Sequence, residues 1–141
     1  MGAKENKENS ISMYKALQEK QPQGFLAGLS DDCKITAPGD QSLLPWKVSV
    51  TGKANFPAWT MDMAKQISID KVELQDIVAD GSKVVIFLHE WLTVQSNKFS
   101  FELYEVHVHT YNSDGKVVDI SMFEDTATVV AAVRGQKVQD L

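Results

Sequence analysis

Residues 83–111 read KVVIFLHEWLTVQSNKFSFELYEVHVHTY. Two runs rich in Val, Ile, Phe and Trp flank Ser96-Asn97, which are turn-forming residues, so the stretch predicts an antiparallel hairpin. A two-residue turn pairs Gln95 with Lys98. Counting outward sets Ile86 opposite His107, Leu88 opposite Glu105 and Glu90 opposite Leu103. Alternation along a strand then puts Glu105, His107, His109 and Tyr111 on one face, with Val106 and Val108 on the other. Two readings stand open: the valines form the core and the histidines are solvated, or the histidines line a cavity.

Working outward, a strand is expected over residues 69–79, closed by the turn Asp80-Gly81, and another over 117–123, after Ser113-Asp114-Gly115. Four long strands with tight turns make a meander. Upstream, Ser10 is an N-cap candidate for a helix carrying Ile11, Tyr14 and Leu17, and Pro22 opens a short second helix with Phe25, Leu26 and Leu29. Residues 33–37 read as a strand and residues 39–51 as an irregular excursion. Pro57 opens a third helix with Phe56, Trp59, Met63 and Ile67, and Asp125 caps a short last helix that Gly135 ends. Helices come early and strands late, without βαβ alternation. The expected class is α+β, a curved antiparallel sheet with helices on one face. The domain spans residues 10–135, between a disordered tail over 1–9 and a C-terminal tail over 136–141.

Composition narrows the function. The 141 residues are 43% hydrophobic and 23% charged, which suits one soluble domain, and no apolar run reaches membrane-spanning length. The net charge is -5 and Arg134 is the only arginine, so nucleic acid is not an expected partner. A lone cysteine, Cys33, and an N-terminus without a signal-like apolar segment point to a cytoplasmic setting.

The first helix with Tyr14, the passage GFLAGLSDDCKITAPG, the segment VTGKANFPAW and the closing YNSDGKVVDISMFED together resemble the SnoaL-like, ketosteroid-isomerase-like branch of the nuclear transport factor 2 superfamily, over roughly residues 10–133. The resemblance implies a cone-shaped sheet with N-terminal helices packed on its concave face, a deep apolar pocket and a homodimer formed through the outer sheet face. Family members include isomerases, cyclases, dehydratases and catalytically silent binders.

In ketosteroid isomerases a helix-1 tyrosine and a protonated aspartate hold the substrate oxygen, and a second aspartate moves the proton. The resemblance puts Tyr14 and His107 at the two oxygen-binding positions. It puts Ala37 at the base position, which therefore lacks a carboxylate. By the hairpin pairing, Glu105 and Glu90 share the His107 face and are the candidate proton carriers. Ile86, Leu88, Leu103, Val118, Ile120 and Met122 are expected to line the pocket, with Trp46 and Trp59 at its rim. Each has a plainer reading: Tyr14 as a core residue, the tryptophans as packing, the Glu105–His109 face as solvated. His107 and His109 with Glu105 match a metal site only weakly, and neither metal nor cofactor is expected. His89 and Trp91 read as outer-face residues, Asp125 as a cap and Cys33 as a small buried hydrophobe.

The sequence thus supports two functions. One is a cofactor-free isomerase or cyclase acting on a small apolar carbonyl compound of polyketide, terpenoid or steroid type. The other is a non-catalytic module for ligand binding or protein association.

Overall fold

The computed structural model describes residues 2–140. Helix α1 (Ala3–Gln18) and helix α2 (Pro22–Leu26) precede strand β1 (Leu29–Thr36). An irregular segment over 37–48 leads to β2 (Ser49–Thr51), a short 3-10 turn (Lys53–Asn55) and α3 (Phe56–Ala64). The meander follows as β3 (Ile67–Asp80), β4 (Lys83–Val94), β5 (Ser100–Tyr111) and β6 (Val117–Glu124), and α4 (Thr126–Val133) closes the fold. The architecture is α+β. All six strands form one sheet in the order β2-β1-β6-β5-β4-β3, with only the β1–β6 contact parallel.

The hairpin that anchors the sequence reading has the expected register: Ile86 faces His107, Leu88 faces Glu105 and Glu90 faces Leu103. The turn is wider than two residues, with Lys98 in the left-handed region at φ 61, but the pairing is the same. Two bulges in the β3–β4 ladder, at Ile69/Lys71 and Leu74/Asp76, bend and twist that side of the sheet. Curvature gives the sheet a concave face, and the helices occupy it.

Two apolar clusters fill the concave side. Met13, Phe25, Cys33, Ile86, Val117 and Ile120 pack between α1, α2 and the sheet, whereas Leu44, Trp46, Ile67, Leu92, Leu103 and Val129 pack at the other end. Helix α2 approaches α1 closely enough that a Cβ on Gly24 would come within 2.6 Å of the Ala16 methyl. Only glycine fits there.

Two expectations are corrected. The chain is helical from Ala3, so the expected tail over 1–9 is the first part of α1; Met1 lies outside the described residues. That stretch lacks apolar periodicity because its inward side chains are polar: Asn6 and Ser10 are buried with Met13 and Tyr14, while Ile11 and Leu17 are 39% and 40% exposed. The Glu5 carboxylate accepts the Gly2 backbone N–H and steadies the helix start. Within the tail over 136–141, Val138–Asp140 form an exposed 3-10 turn, and Leu141 lies outside the described residues. The second correction is Val118. β6 bulges there, with Tyr111 paired to Val117 and Thr110 to Asp119, so Val117 turns inward and Val118 does not.

Candidate active site

Asn6, Ser10 and Tyr14 lie four residues apart on one face of α1 and are buried against the sheet. Glu105, His107, His109 and Tyr111 lie two apart on the inward face of β5. Four helical residues rise about 6 Å and two strand residues about 6.7 Å, so the two polar rows run nearly in step. They interlock. Tyr14 Oη lies 2.5 Å from His107 Nδ1 and 3.0 Å from His109 Nε2. Ser10 Oγ lies 3.0 Å from His109 Nδ1 and 2.7 Å from Tyr111 Oη. At the far end His107 Nε2 bonds the Glu105 carboxylate.

Burial sets the protonation states. It pushes His109 down to about 3, helped by the charge of His107, so His109 is a neutral imidazole. Burial also holds the Tyr14 phenol well above its ordinary value, with Glu105, Glu90 and Tyr111 adding to the effect. Glu90 is raised well above the carboxylate range by burial, by the charge of Glu105 and by a hydrogen bond with that residue. Glu105 is equally buried, but the charge and hydrogen bond of His107, the bond with Glu90 and the charge of Lys47 together bring it below its ordinary value. The two carboxyls are thus pushed in opposite directions, Glu90 up and Glu105 down.

Lys47, from the irregular segment, forms a buried ion pair with Glu124 at the end of β6. Burial lowers the Lys47 ammonium, against the fields of Glu105 and Glu90. Glu124 reaches this place because it pairs with Glu105 across the β5–β6 ladder.

These groups close one end of a cavity of about 800 Å³. Its walls are mostly apolar, with Trp46, Trp59, Leu88, Leu103 and Met122 among them, and Lys47, Glu90, Glu105, His107 and Glu124 stand together on its polar side. The wall is braced by the Trp59 indole N–H, which donates to the Trp46 carbonyl at 3.1 Å. Ala37 lies on the wall, and its N–H donates to the Val48 carbonyl at 3.2 Å, so the lysine arrives beside the position where the family pattern has its base. Among the described residues no group of three or more His, Cys, Asp or Glu side chains is arranged to hold a metal, and no helix is long and apolar enough to cross a membrane.

The SnoaL-like domain profile matches residues 11–120, most of the chain. The protein belongs to the SnoaL-like family. Solved structures agree on the fold. A nuclear transport factor 2-like protein of unknown function from Burkholderia pseudomallei superposes with a TM-score of 0.84 at 22% identity, covering 92% of this chain and 97% of that one. TerC, crystallised with polyporic acid, gives 0.80 at 17% identity, covering 92% and 98%. A provisionally assigned polyketide cyclase from Pseudomonas putida gives 0.70 at 21%, covering 90% and 96%. No curated protein sequence matches significantly.

Of the residues expected from sequence, this SnoaL-like chain gathers Tyr14, Glu90, Glu105 and His107 at one place. It sets Trp46, Trp59, Leu88, Leu103 and Met122 on the cavity wall. Ile86 and Ile120 lie in the closed core beyond it, flanking His107 and His109 in register, and Val118 sits at the bulge. Tyr14 and His107 bond to each other rather than pointing jointly at a vacant oxygen position. His89 lies on the outer face, stacked between Trp91 at 3.9 Å and Tyr104 at 4.3 Å, as its alternation implies. Lys47 and Glu124 were not expected. Glu124 continues the alternation Ile120, Met122, Glu124, whereas Lys47 sits in a segment with no periodic signal.

Proposed function

We propose that this SnoaL-like protein is an isomerase or cyclase that moves a proton within a small, neutral, apolar carbonyl compound of polyketide, terpenoid or steroid type. The observation that carries the reading is a pair of carboxyls, Glu90 and Glu105, set together on the polar side of a mostly apolar cavity, with Glu105 bonded to His107. Glu105, the ionised member, takes a proton from carbon next to the carbonyl, while Glu90 returns one to the substrate. The pair holds as many protons after turnover as before. Lys47 supplies positive charge for the developing enolate oxygen, and His107 fixes the orientation of Glu105. On the buried polar side Glu90, Glu105 and Glu124 face Lys47, already paired with Glu124, which disfavours an anionic group at that place; Lys20, Lys71 and Asp70 line other parts of the cavity.

The test is exchange of α-hydrogens for deuterium in a panel of enolisable cyclic ketones, followed by proton NMR in D2O. Exchange above the buffer rate that disappears in Glu105→Gln supports the reading. Ketones that bind without exchange would establish the alternative, a ligand-binding module, which Ala37 and the engaged hydroxyl of Tyr14 favour. The partner proposed with either function is a second copy of the chain. It would cover the outer sheet face, where Phe87, Tyr104 and Phe123 are exposed. A strict monomer by light scattering at micromolar concentration removes that part.

A further inference from the structure

The polar seam between α1 and β5 is a single unbranched chain of hydrogen bonds: Tyr111, Ser10, His109, Tyr14, His107, Glu105. Each hydroxyl owns one hydrogen and a neutral imidazole owns one, so from His107 Nδ1 to Tyr111 the direction of any link fixes the others. The Glu105 carboxylate only accepts, hence His107 Nε2 donates to it. With His107 neutral, its Nδ1 accepts from Tyr14; Tyr14 then accepts from His109 Nε2, His109 Nδ1 accepts from Ser10, and Ser10 accepts from Tyr111. With a proton added at His107 Nδ1, every link except the His107–Glu105 bond reverses. His107 donates to Tyr14, Tyr14 to His109 Nε2, His109 Nδ1 to Ser10 and Ser10 to Tyr111. The Tyr111 hydroxyl is then free to point at Met13 Sδ, 3.9 Å away. Hydrogens balance: Tyr111, Ser10, His109 and Tyr14 keep one each, and the added proton resides on His107.

We propose that Ser10, His109 and Tyr111 are positioning residues for His107, and that protonation of His107 reverses the chain and moves His109 from its Nε2–H to its Nδ1–H tautomer. The chain strands no buried donor in either state, which matters because an unpaired buried N–H is costly. His107 stays bonded to Glu105 in both states of the chain, and holding Glu105 is the support the proposed acid–base reading asks of it. The titratable and charged groups around His107 are Tyr14 on α1, Glu90 on β4, Glu105 and His109 on β5, Glu124 on β6 and Lys47 on the irregular segment. Helix α2 carries no titratable side chain, and its Phe25 ring packs against Tyr14 and His109. His109 does not take up a second proton in the working range, because burial holds it at about 3.

The experiment is long-range proton–nitrogen NMR of the imidazoles in uniformly 15N-labelled full-length protein, without substrate, from about pH 4 to about pH 9. The expected result is a His109 that stays neutral throughout while its two nitrogens exchange their protonated and unprotonated signatures in step with the charge of His107. Tyr14→Phe cuts the chain between the histidines, so the His109 tautomer should then no longer follow His107. In Ser10→Ala an Nδ1–H would have no acceptor, so His109 should remain Nε2–H at every pH. A wild-type His109 with one tautomer across the range, a His107 that never changes charge, or a switch that persists in Tyr14→Phe would overturn the proposal; where a variant does not fold, the wild-type spectra decide. No substrate is involved. Loss of the switch would leave the acid–base function standing, and absence of ketone exchange would leave the switch standing.

Discussion

His107 and His109 sit two residues apart on one face of one strand, yet they belong to different regions. His107 is on the cavity wall beside two carboxyls, whereas His109 has no exposed surface and is enclosed by Tyr14, Phe25, Ser10 and Tyr111. The residue type is the same and the chemistry is not. At the cavity end the ionisable side chains touch space that a ligand can fill, so their energetics bear on reactivity. At the sealed end they have no access to that space, so theirs bear on stability and, through Tyr14, on the setting of His107.

Breaking one end at a time tests that division. Glu105→Gln should lower ketone exchange by about 10²–10⁴-fold, the usual contribution of a general base, with a smaller loss of stability than at the sealed end because the amide oxygen still accepts from His107 Nε2–H. His109→Leu should do the reverse in kind, costing roughly 2 to 4 kcal/mol in denaturant melts because Tyr14 and Ser10 lose a buried partner. If Glu105→Gln proves the more destabilising of the two, the division fails.

A pH titration sharpens it next. Unfolded, His109 binds a proton near its ordinary 6.5, but in the folded chain only near 3, so the unfolded state binds more protons between those values. Stability should therefore fall as pH drops from about 6.5 toward about 3, by up to about 1.4 kcal/mol per pH unit for one proton. Glu105, lowered on folding, adds to the loss at the acid end. Glu90, raised on folding, acts the other way: its contribution is full below the ordinary carboxylate range and is lost as pH rises through its folded value. Chemical denaturation at several pH values should show the His109 slope in wild type and its absence in His109→Leu.

Smaller effects follow. Trp59→Phe removes the bond to the Trp46 carbonyl and should weaken binding of a flat apolar ligand by about 1 kcal/mol, read by quenching of the remaining tryptophans. Cys33, buried in the sealed cluster and pushed up to about 12 by burial and by Asp119 and Asp32, should stay unreactive toward thiol reagents at neutral pH until the protein unfolds.

The fold was legible because its longest strands carry period-two patterns and turn residues between them, and hairpin register follows from the turn. That count alone put Glu90, Glu105 and His107 on one face. Three things escaped. The start of α1 was hidden because its inward stripe is Asn6, Ser10 and Tyr14, which a hydrophobic period does not reveal. Val118 was misplaced by a bulge, which sequence alternation cannot register. Lys47 was invisible because an irregular segment has no period, and its position depends on Leu44 packing and on Glu124. The seam itself was half visible. The histidines could be placed on one face, but what faced them could not.

The near-match of helix and strand repeats has a consequence for how this chain can change. A single inserted residue in α1 between Ser10 and Tyr14 turns one of them by about 100° off the seam, and a one-residue slip in β5 sends the whole histidine row to the outer surface. Indels within either element are thus excluded as small steps. The mismatch of roughly 0.7 Å per repeat also limits how far such a seam can run. Asn6, one repeat beyond Ser10, already reaches past the end of β5: its Nδ2 donates to the Gly81 carbonyl at 3.3 Å, and its Oδ1 finds no partner among the described residues. The pair of elements behaves as a vernier scale with two matched marks, and descendants of this sequence can repaint those marks but not move them.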